Sequence, residues 1–251
     1  MKSFLTLLLL LTASVATVQA KDSVIGGLST RNVSINTTFT GSNILIFGTI
    51  KRGDSEEIVP SDIIIEVFGP ETNITVRRKK KIFGIWVNSD PIKINNSPSF
   101  YSIVSTNKLD DILKKSEQLK SKIGRTQFFE SKNSDSNYIE AINAQLRIKN
   151  KNGYYSFNNP PVKVKENSLF SASISLPANL TEGDYKTKIH LIQKGEVTNT
   201  SIDTIRVRKV GLERWLYKTA HNSPLFYGIF SVLLALFSGW GASTIFRRFQ
   251  Q

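Results

Sequence analysis

"LPANLTEGDYKTKIHLI", Leu176 to Ile192, reads as a corner that opens a late strand. The Gly-x-Tyr step from Gly183 to Tyr185 turns the chain, and the Tyr185 hydroxyl is expected to hydrogen-bond back to nearby backbone. Such a tyrosine corner is a device of β-sandwiches. The neighbouring segments agree with it. "YYSF", "VKV" and "LFSASISL" precede the corner and "SIDTIRVRKV" follows it, each a short β-type run. Far upstream, "NVSINTTF" alternates Val33, Ile35, Thr37 and Phe39 with period two. "NILIFGTI", "DIIIEVFG", "NITVRR", "IFGIWVN", "PIKIN" and "FYSIVS" come next, separated by Gly, Pro, Asn and Asp. About seven short strands at this spacing predict an antiparallel sandwich.

The segment around Tyr185 resembles the end of an immunoglobulin-like domain. The expected fold is therefore mainly β, with immunoglobulin-like sandwich domains and a helical segment between them. A first β domain is expected over 21–106, the helical segment over 107–152 and a second β domain over 153–210. In "TNKLDDILKKSEQLKSKIG", Leu109, Ile112, Leu113, Leu119 and Ile123 form one stripe. Thr106 or Asn107 can cap that helix, Asp110 and Asp111 complement its positive end, and Gly124 can end it. In "NYIEAINAQLRIKNKNG", Asn137 and Glu140 stand in a capping-box relation, and Ile139, Ile142 and Leu146 share a face. The polar "ESKNSDSN" between the helices is the expected hinge.

Both ends of the chain are hydrophobic. "MKSFLTLLLLLTASVATVQA" has one cation at Lys2, an apolar run from Phe4 to Leu11, and Val18 and Ala20 placed for cleavage before Lys21. Residues 1–20 are expected to be a secretory signal peptide, because the run is too short to span a bilayer. "PLFYGIFSVLLALFSGWGASTIF", 224–246, carries no charge and is long enough to cross as one helix. Tyr227 and Trp240 sit towards its ends, where aromatic rings favour the interface, and Arg247 and Arg248 begin a short inner tail, 247–251. Before the span, 211–223 reads as an amphipathic helix at the membrane surface. Leu212, Trp215, Leu216 and Thr219 share a face there, and Trp215, Arg214 and Lys218 are expected interfacial anchors. The basic flank from Arg206 to Lys218 would by a bare count place that side in the cytoplasm. A domain already being translocated passes largely regardless of charge, so the signal peptide decides the orientation.

Composition narrows the function. The net charge is +13, and +10 remains once Lys2, Arg247 and Arg248 are set aside. That surface favours anionic partners, with nucleic acid a poor candidate outside a membrane. There is no cysteine, hence no disulfide or thiolate site. His190 lies in a strand pattern and His221 at the membrane boundary; no metal spacing, nucleophile elbow or phosphate loop is present. No catalytic residue, cofactor or metal is expected, and the chain is read as a non-enzyme.

Two features remain. "VRRKKKIFGIWVN" places Arg77, Arg78, Lys79, Lys80 and Lys81 in a row. A strand alternates faces, so these five belong to a turn, a projecting hairpin or an edge. They serve either as a solvated surface or as a contact for anions or lipid headgroups. Ile82, Phe83, Ile85 and Trp86 read as core, with Gly84 at a bulge or close approach. Phe100 and Tyr101, after Pro98, either line a pocket or, as such pairs more often do, pack in the core with the tyrosine hydroxyl at the surface. In the span, Ser231, Ala235, Gly239 and Ser243 are spaced by four, a stripe on which another helix can approach closely.

"FTGSNILIFGTI", "VRRKKKIFGIWVN", "SPSFYSIVST", "LPANLTEGDY", "VRKVGLERWLYKTAH" and the spanning segment together resemble the alphaproteobacterial putative transmembrane protein family. The matching pieces cover nearly the whole mature chain in order. The resemblance implies a bacterial inner membrane, a single pass, the N-terminal domain in the periplasm and the C-terminus in the cytoplasm. It implies no activity, and it carries an association with genomic neighbourhoods of sulfite-exporter-type permeases. The expected role is an accessory or binding module beside a membrane protein such as a small-anion transporter. The expected partners are the bilayer and either an integral membrane protein or a second copy. A self-associating envelope scaffold is the alternative; an unrecognised hydrolase would need carboxylates converging in one pocket.

Overall fold

The computed structural model describes residues 21–53, 59–129, 135–157 and 161–249. The expected signal peptide, 1–20, and residues 130–134 of the expected hinge lie outside the described residues. The chain divides into two units, one made of residues up to Arg31 together with Thr40–Arg206, the other of Asn32–Phe39 and Val207 onward. The fold is mainly β, with one long apolar helix at the C-terminal end.

In the first unit the strands are β1 (Ser23–Leu28), β3 (Ser42–Lys51), β4 (Ser61–Phe68), β5 (Glu71–Ile82), β6 (Ile85–Pro98), β7 (Tyr101–Ser105), β8 (Tyr155–Ser156), β9 (Lys163–Lys165), β10 (Leu169–Leu176) and β11 (Gly183–Gln193). β12 (Glu196–Lys209) begins here and runs into the second unit. One sheet has the order β1-β3-β10-β9 and the other β12-β11-β4-β7-β8, while β5 and β6 pair only with each other. Each large sheet takes strands from both sides of the helical segment. β3 pairs with β10 and β4 with β11, so the stretches 21–106 and 153–210 build shared sheets.

β4 lies between β11 and β7, and Ile63, Ile64, Ile65, Glu66 and Val67 are all buried. An unbroken apolar run without alternation is the pattern of a strand covered on both faces. Ile63, Ile65 and Val67 point one way, and Ile189 joins them opposite Ile65. A Cβ on Gly26 of β1 would lie 2.1 Å from Ile189 Cδ1, so the two sheets meet there and Ile189 would have to shift to admit a larger residue. Ile64 points the other way, into a cluster with Ile103, Ile112, Leu113, Ile123 and Ile142. Each such fully buried side chain contributes about 1.5–3 kcal/mol by leaving water.

The helical segment differs from its sequence pattern. In place of one helix there are α1 (Leu109–Ile112), α2 (Lys115–Ser121) and a 3-10 turn (Gly124–Phe128). The break has a tertiary cause. The Lys114 amide donates to Gly195 O at 3.1 Å, and its ammonium pairs with Glu196 at 2.8 Å, both at the β11–β12 turn. Leu119, expected in the apolar stripe, is consequently 66% exposed. Thr106 and Asn107 do not cap; their side chains donate to Asp62 Oδ1 at 2.6 and 3.1 Å. α3 (Ser136–Lys151) is capped by Asp135, which accepts from the Asn137 amide at 3.0 Å. Ala141, Ile142, Gln145 and Leu146 are buried, whereas Ile139 is exposed.

The second unit holds β2 (Asn32–Ile35), which neighbours β12, α4 (Leu212–Asn222) and α5 (Pro224–Phe249). Val210 N donates to Ile35 O at 2.8 Å. Within α5, Pro224–Thr244 has a mean hydropathy of 1.7 and no part of it is buried. Those 21 residues measure about 31 Å, the thickness of a hydrocarbon core.

Candidate functional site

The two halves of the β5–β6 hairpin differ. The inner half is part of the core: Ile74, Val76 and Ile92 pack against the helix-side cluster. β5 bulges at Arg77, where the register shifts between Val76 and Arg78. Beyond that point every residue from Arg77 to Asn88 is exposed. The ladder continues regardless, through Lys79↔Asn88, Lys80↔Val87, Lys81↔Trp86 and Ile82↔Ile85. Phe83 and Gly84 form the two-residue turn, with φ of 47° and 84°. Two positive φ values define a type I′ turn, whose twist matches that of the strands it joins.

The cations are therefore on a projecting hairpin, one of the three settings that their unbroken run allows. Lys80 pairs with Asp90 at 2.6 Å, and this bond holds the Asp90 carboxyl below its usual range. Arg78 pairs with Glu140 of α3, tying the hairpin to the helix. For Arg77, Lys79 and Lys81 no ion pair is formed among the described residues.

The expectation that Ile82, Phe83, Ile85 and Trp86 are core is wrong. Phe83 is fully exposed, Ile85 68% and Trp86 66% exposed, and Ile82 and Val87 are open as well. They sit at the hairpin's end, where no layer covers either face. Gly84 is neither a bulge nor a close approach; it is the second turn residue, with open space around it. Phe83 holds a left-handed backbone that costs a bulky residue about 1 kcal/mol. Folding explains neither this conformation nor the exposed aromatics, and such unexplained features point to function. Gly84 between two apolar pairs was the available signal. Phe-Gly is not one of the favoured turn dipeptides, so the sequence does not mark a turn there.

A buried polar cluster lies behind the helix-side core. Tyr101 donates to Glu66 Oε1 at 2.5 Å, and the Gly124 amide donates to the same oxygen at 3.1 Å. His190 Nε2 lies 3.2 Å from Glu66 Oε2, and its Nδ1 lies 2.9 Å from Thr200 Oγ1. Burial, with the neighbouring Glu66 carboxylate, pushes the Tyr101 hydroxyl well above its ordinary value. The hydroxyl is thus inside the protein, correcting the expectation that it reaches the surface. These groups satisfy one another and brace β4, β7 and β11 to the helices. Phe100 is buried as expected.

A cleft of about 590 Å³ opens beside this brace, lined among others by Phe68, Ser97, Gln127, Phe128, Gln145 and Lys188. Glu66, Tyr101 and His190 do not line it. Gln145 Oε1 is buried there with no hydrogen-bond partner among the described residues. Among the described residues no three His, Asp or Glu side chains converge as metal ligands would.

At the corner, Tyr185 donates to Thr181 O at 2.9 Å, as the sequence requires, and burial pushes its hydroxyl up to about 12. Along α5, Ser231, Ala235, Gly239 and Ser243 are exposed on one stripe. Ser231 donates to Tyr227 O at 2.8 Å, so its hydroxyl is satisfied within its own helix, and open space surrounds the Gly239 Cα. Of the expected anchors, the side chains of Arg214, Trp215 and Lys218 lie outside the described residues.

A β-sheet protein with a projecting basic hairpin and one C-terminal membrane-length helix is the class that these features define. The chain belongs to the family described as "Putative transmembrane protein (Alph_Pro_TM)", which matches residues 23–248. It is a membrane protein with one C-terminal apolar helix. No curated protein matches the chain. Among solved structures it is similar to the sporulation control protein Spo0M from Bacillus subtilis, at 10% identity and a TM-score of 0.30. That match covers 81% of this chain and 56% of Spo0M, and a likeness this low carries no argument about fold or function.

Proposed function

We propose that this protein is a membrane-anchored, non-enzymatic binding module that acts beside an integral membrane protein, such as a transporter of small anions. In this reading it is a single-pass protein of a bacterial inner membrane, with the β unit in the periplasm and the C-terminus in the cytoplasm. The carrying observation is the outer hairpin, Arg77 to Asn88. It adds nothing to the core, yet presents five cations and five large apolar side chains to solvent. The small-residue stripe on α5 adds a face for close helix approach. The scaffold reading uses the same stripe with a second copy as its partner.

In-cell crosslinking followed by mild detergent extraction and mass spectrometry tests the proposal. Three forms are compared: the parent, a variant with Arg77 to Lys81 neutralised, and Gly239→Ile. A defined membrane partner that is lost in either variant supports the accessory module. Recovery of the protein alone, as a dimer abolished by Gly239→Ile, supports the scaffold. No adduct of any kind in the parent contradicts both.

A further inference from the structure

We propose that the β5–β6 hairpin is a membrane-insertion tip whose partner is an anionic phospholipid bilayer, a proposal that rests on the hairpin being the binding element. The residues are sorted along its length. Ile82, Phe83 and Ile85 occupy the end, Lys81 and Lys80 lie level with Trp86 and Val87 on the facing strand, and Lys79, Arg78 and Arg77 follow behind. From the turn to the Lys80–Val87 pair is about three residues, roughly 10 Å at 3.3 Å per residue. That is the depth to which apolar faces sink into the headgroup and acyl boundary. Lys79, Arg78 and Arg77 then fall at headgroup level, where anionic lipids attract them, and the long stems of Lys81 and Lys80 let their ammonium groups reach back to it.

The apolar surface is also two-sided. Antiparallel partners share a face, so Ile82, Ile85 and Val87 lie on one side, Trp86 on the other, and Phe83 at the apex. Cations occupy both sides too, with Lys80 and Arg78 on the first and Lys81 and Lys79 on the second. A protein groove covers one face of a ribbon; fluid lipid surrounds both. Trp86 adds an indole ring suited to the interface. The free backbone groups on the edges of a two-stranded ribbon forbid the hydrocarbon centre, so insertion is shallow. Lys80 and Arg78 are partly engaged by Asp90 and Glu140, which leaves Arg77, Lys79 and Lys81 to carry most of the attraction.

The absence of cysteine makes a direct test simple. Full-length Phe83→Cys, carrying a nitroxide label, is reconstituted into phosphatidylethanolamine–phosphatidylglycerol liposomes and into phosphatidylcholine liposomes. Exposure of the label to lipid-soluble oxygen and to a water-soluble nickel chelate gives its depth. In the anionic liposomes the label is expected inside the bilayer, protected from nickel. In the neutral ones it is expected in water, as is a label at Asn179→Cys in both. Neutralising Arg77 to Lys81 should weaken insertion at least about tenfold, since each cation near an anionic surface adds to the attraction. Added vesicles containing a lipid-bound quencher distinguish a facing bilayer from the anchoring one, and contact with either supports the proposal. A label open to nickel in both lipid mixtures overturns it, as does spin–spin broadening that places a second copy at the tip. If the tip avoids lipid but crosslinks to a protein in cells, the binding-module reading survives this failure. If it contacts neither, both readings fail.

Discussion

β4 and the outer half of the β5–β6 hairpin are both rich in large apolar residues and both extended. β4 has a sheet neighbour on each edge and a packed layer on each face, so five consecutive side chains are buried. The outer hairpin has one neighbour on one edge and nothing on either face, so twelve consecutive residues are exposed. Apolar content is similar; coverage is not. Coverage is decided by topology, which a run of residues does not contain. The same contrast separates their charges. Glu66 sits inside with each carboxylate oxygen occupied, whereas Arg77, Lys79 and Lys81 stand outside with no ion partner among the described residues.

The largest expected effect lies on the buried side of this comparison. Glu66→Ala removes the acceptor for Tyr101, the Gly124 amide and His190, and leaves buried polar groups unpaired. It should cost about 3–5 kcal/mol in chemical denaturation of the detergent-solubilised protein. A loss under 1 kcal/mol would mean that water reaches this cluster.

Acid sharpens the contrast at a half-sheltered site. The Asp22 carboxyl is held below its usual 3.8, chiefly by the Gly53 amide, with Arg52 and Gln193 adding to the effect against the cost of burial. A depressed carboxyl supplies stability that is complete above its unfolded value and is lost as pH falls through the folded one. Stability should therefore decline below about pH 4. Asp22→Asn should flatten that acid limb in a series of unfolding curves. An unchanged limb would remove Asp22 from the account.

At the corner, Tyr185→Phe deletes the bond to Thr181 and should cost about 1 kcal/mol by the same denaturation. Because burial raises this hydroxyl to about 12, the parent should lose stability as pH rises from about 10, and the variant less. At the exposed turn the sign reverses. Phe83→Asn creates an Asn-Gly turn suited to both positive φ values and should stabilise the protein by about 0.5–1 kcal/mol. If it destabilises instead, Phe83 is packed against something.

Much of this was legible in the chain, and the rest was hidden for identifiable reasons. The Tyr185 corner and the burial of Phe100 are local in origin and came directly from residue type and spacing. The exposure of Arg77 to Lys81 followed from strand alternation, which left open a turn, a hairpin or an edge. The apolar tip did not, because Ile82, Phe83, Ile85 and Trp86 look the same whether a sheet covers them or not. The broken helix at Leu113 was hidden by the Gly195 carbonyl, 81 residues away, which takes the Lys114 amide. The Glu66–His190–Tyr101 brace joins residues from three strands, and no spacing announces it. The sharing of sheets across the helical segment depends on long-range pairing that the strand signals do not specify.

The smallest expected effect is the most decisive, because every functional reading depends on the outer hairpin lying outside the core. The double variant Phe83→Ser, Trp86→Ser removes two aromatic side chains that a core would need. Its unfolding free energy should match the parent to within about 0.5 kcal/mol, the range for exposed positions. A loss of about 3 kcal/mol or more, the cost of truncating buried aromatics, would put the tip back in the core and contradict the account.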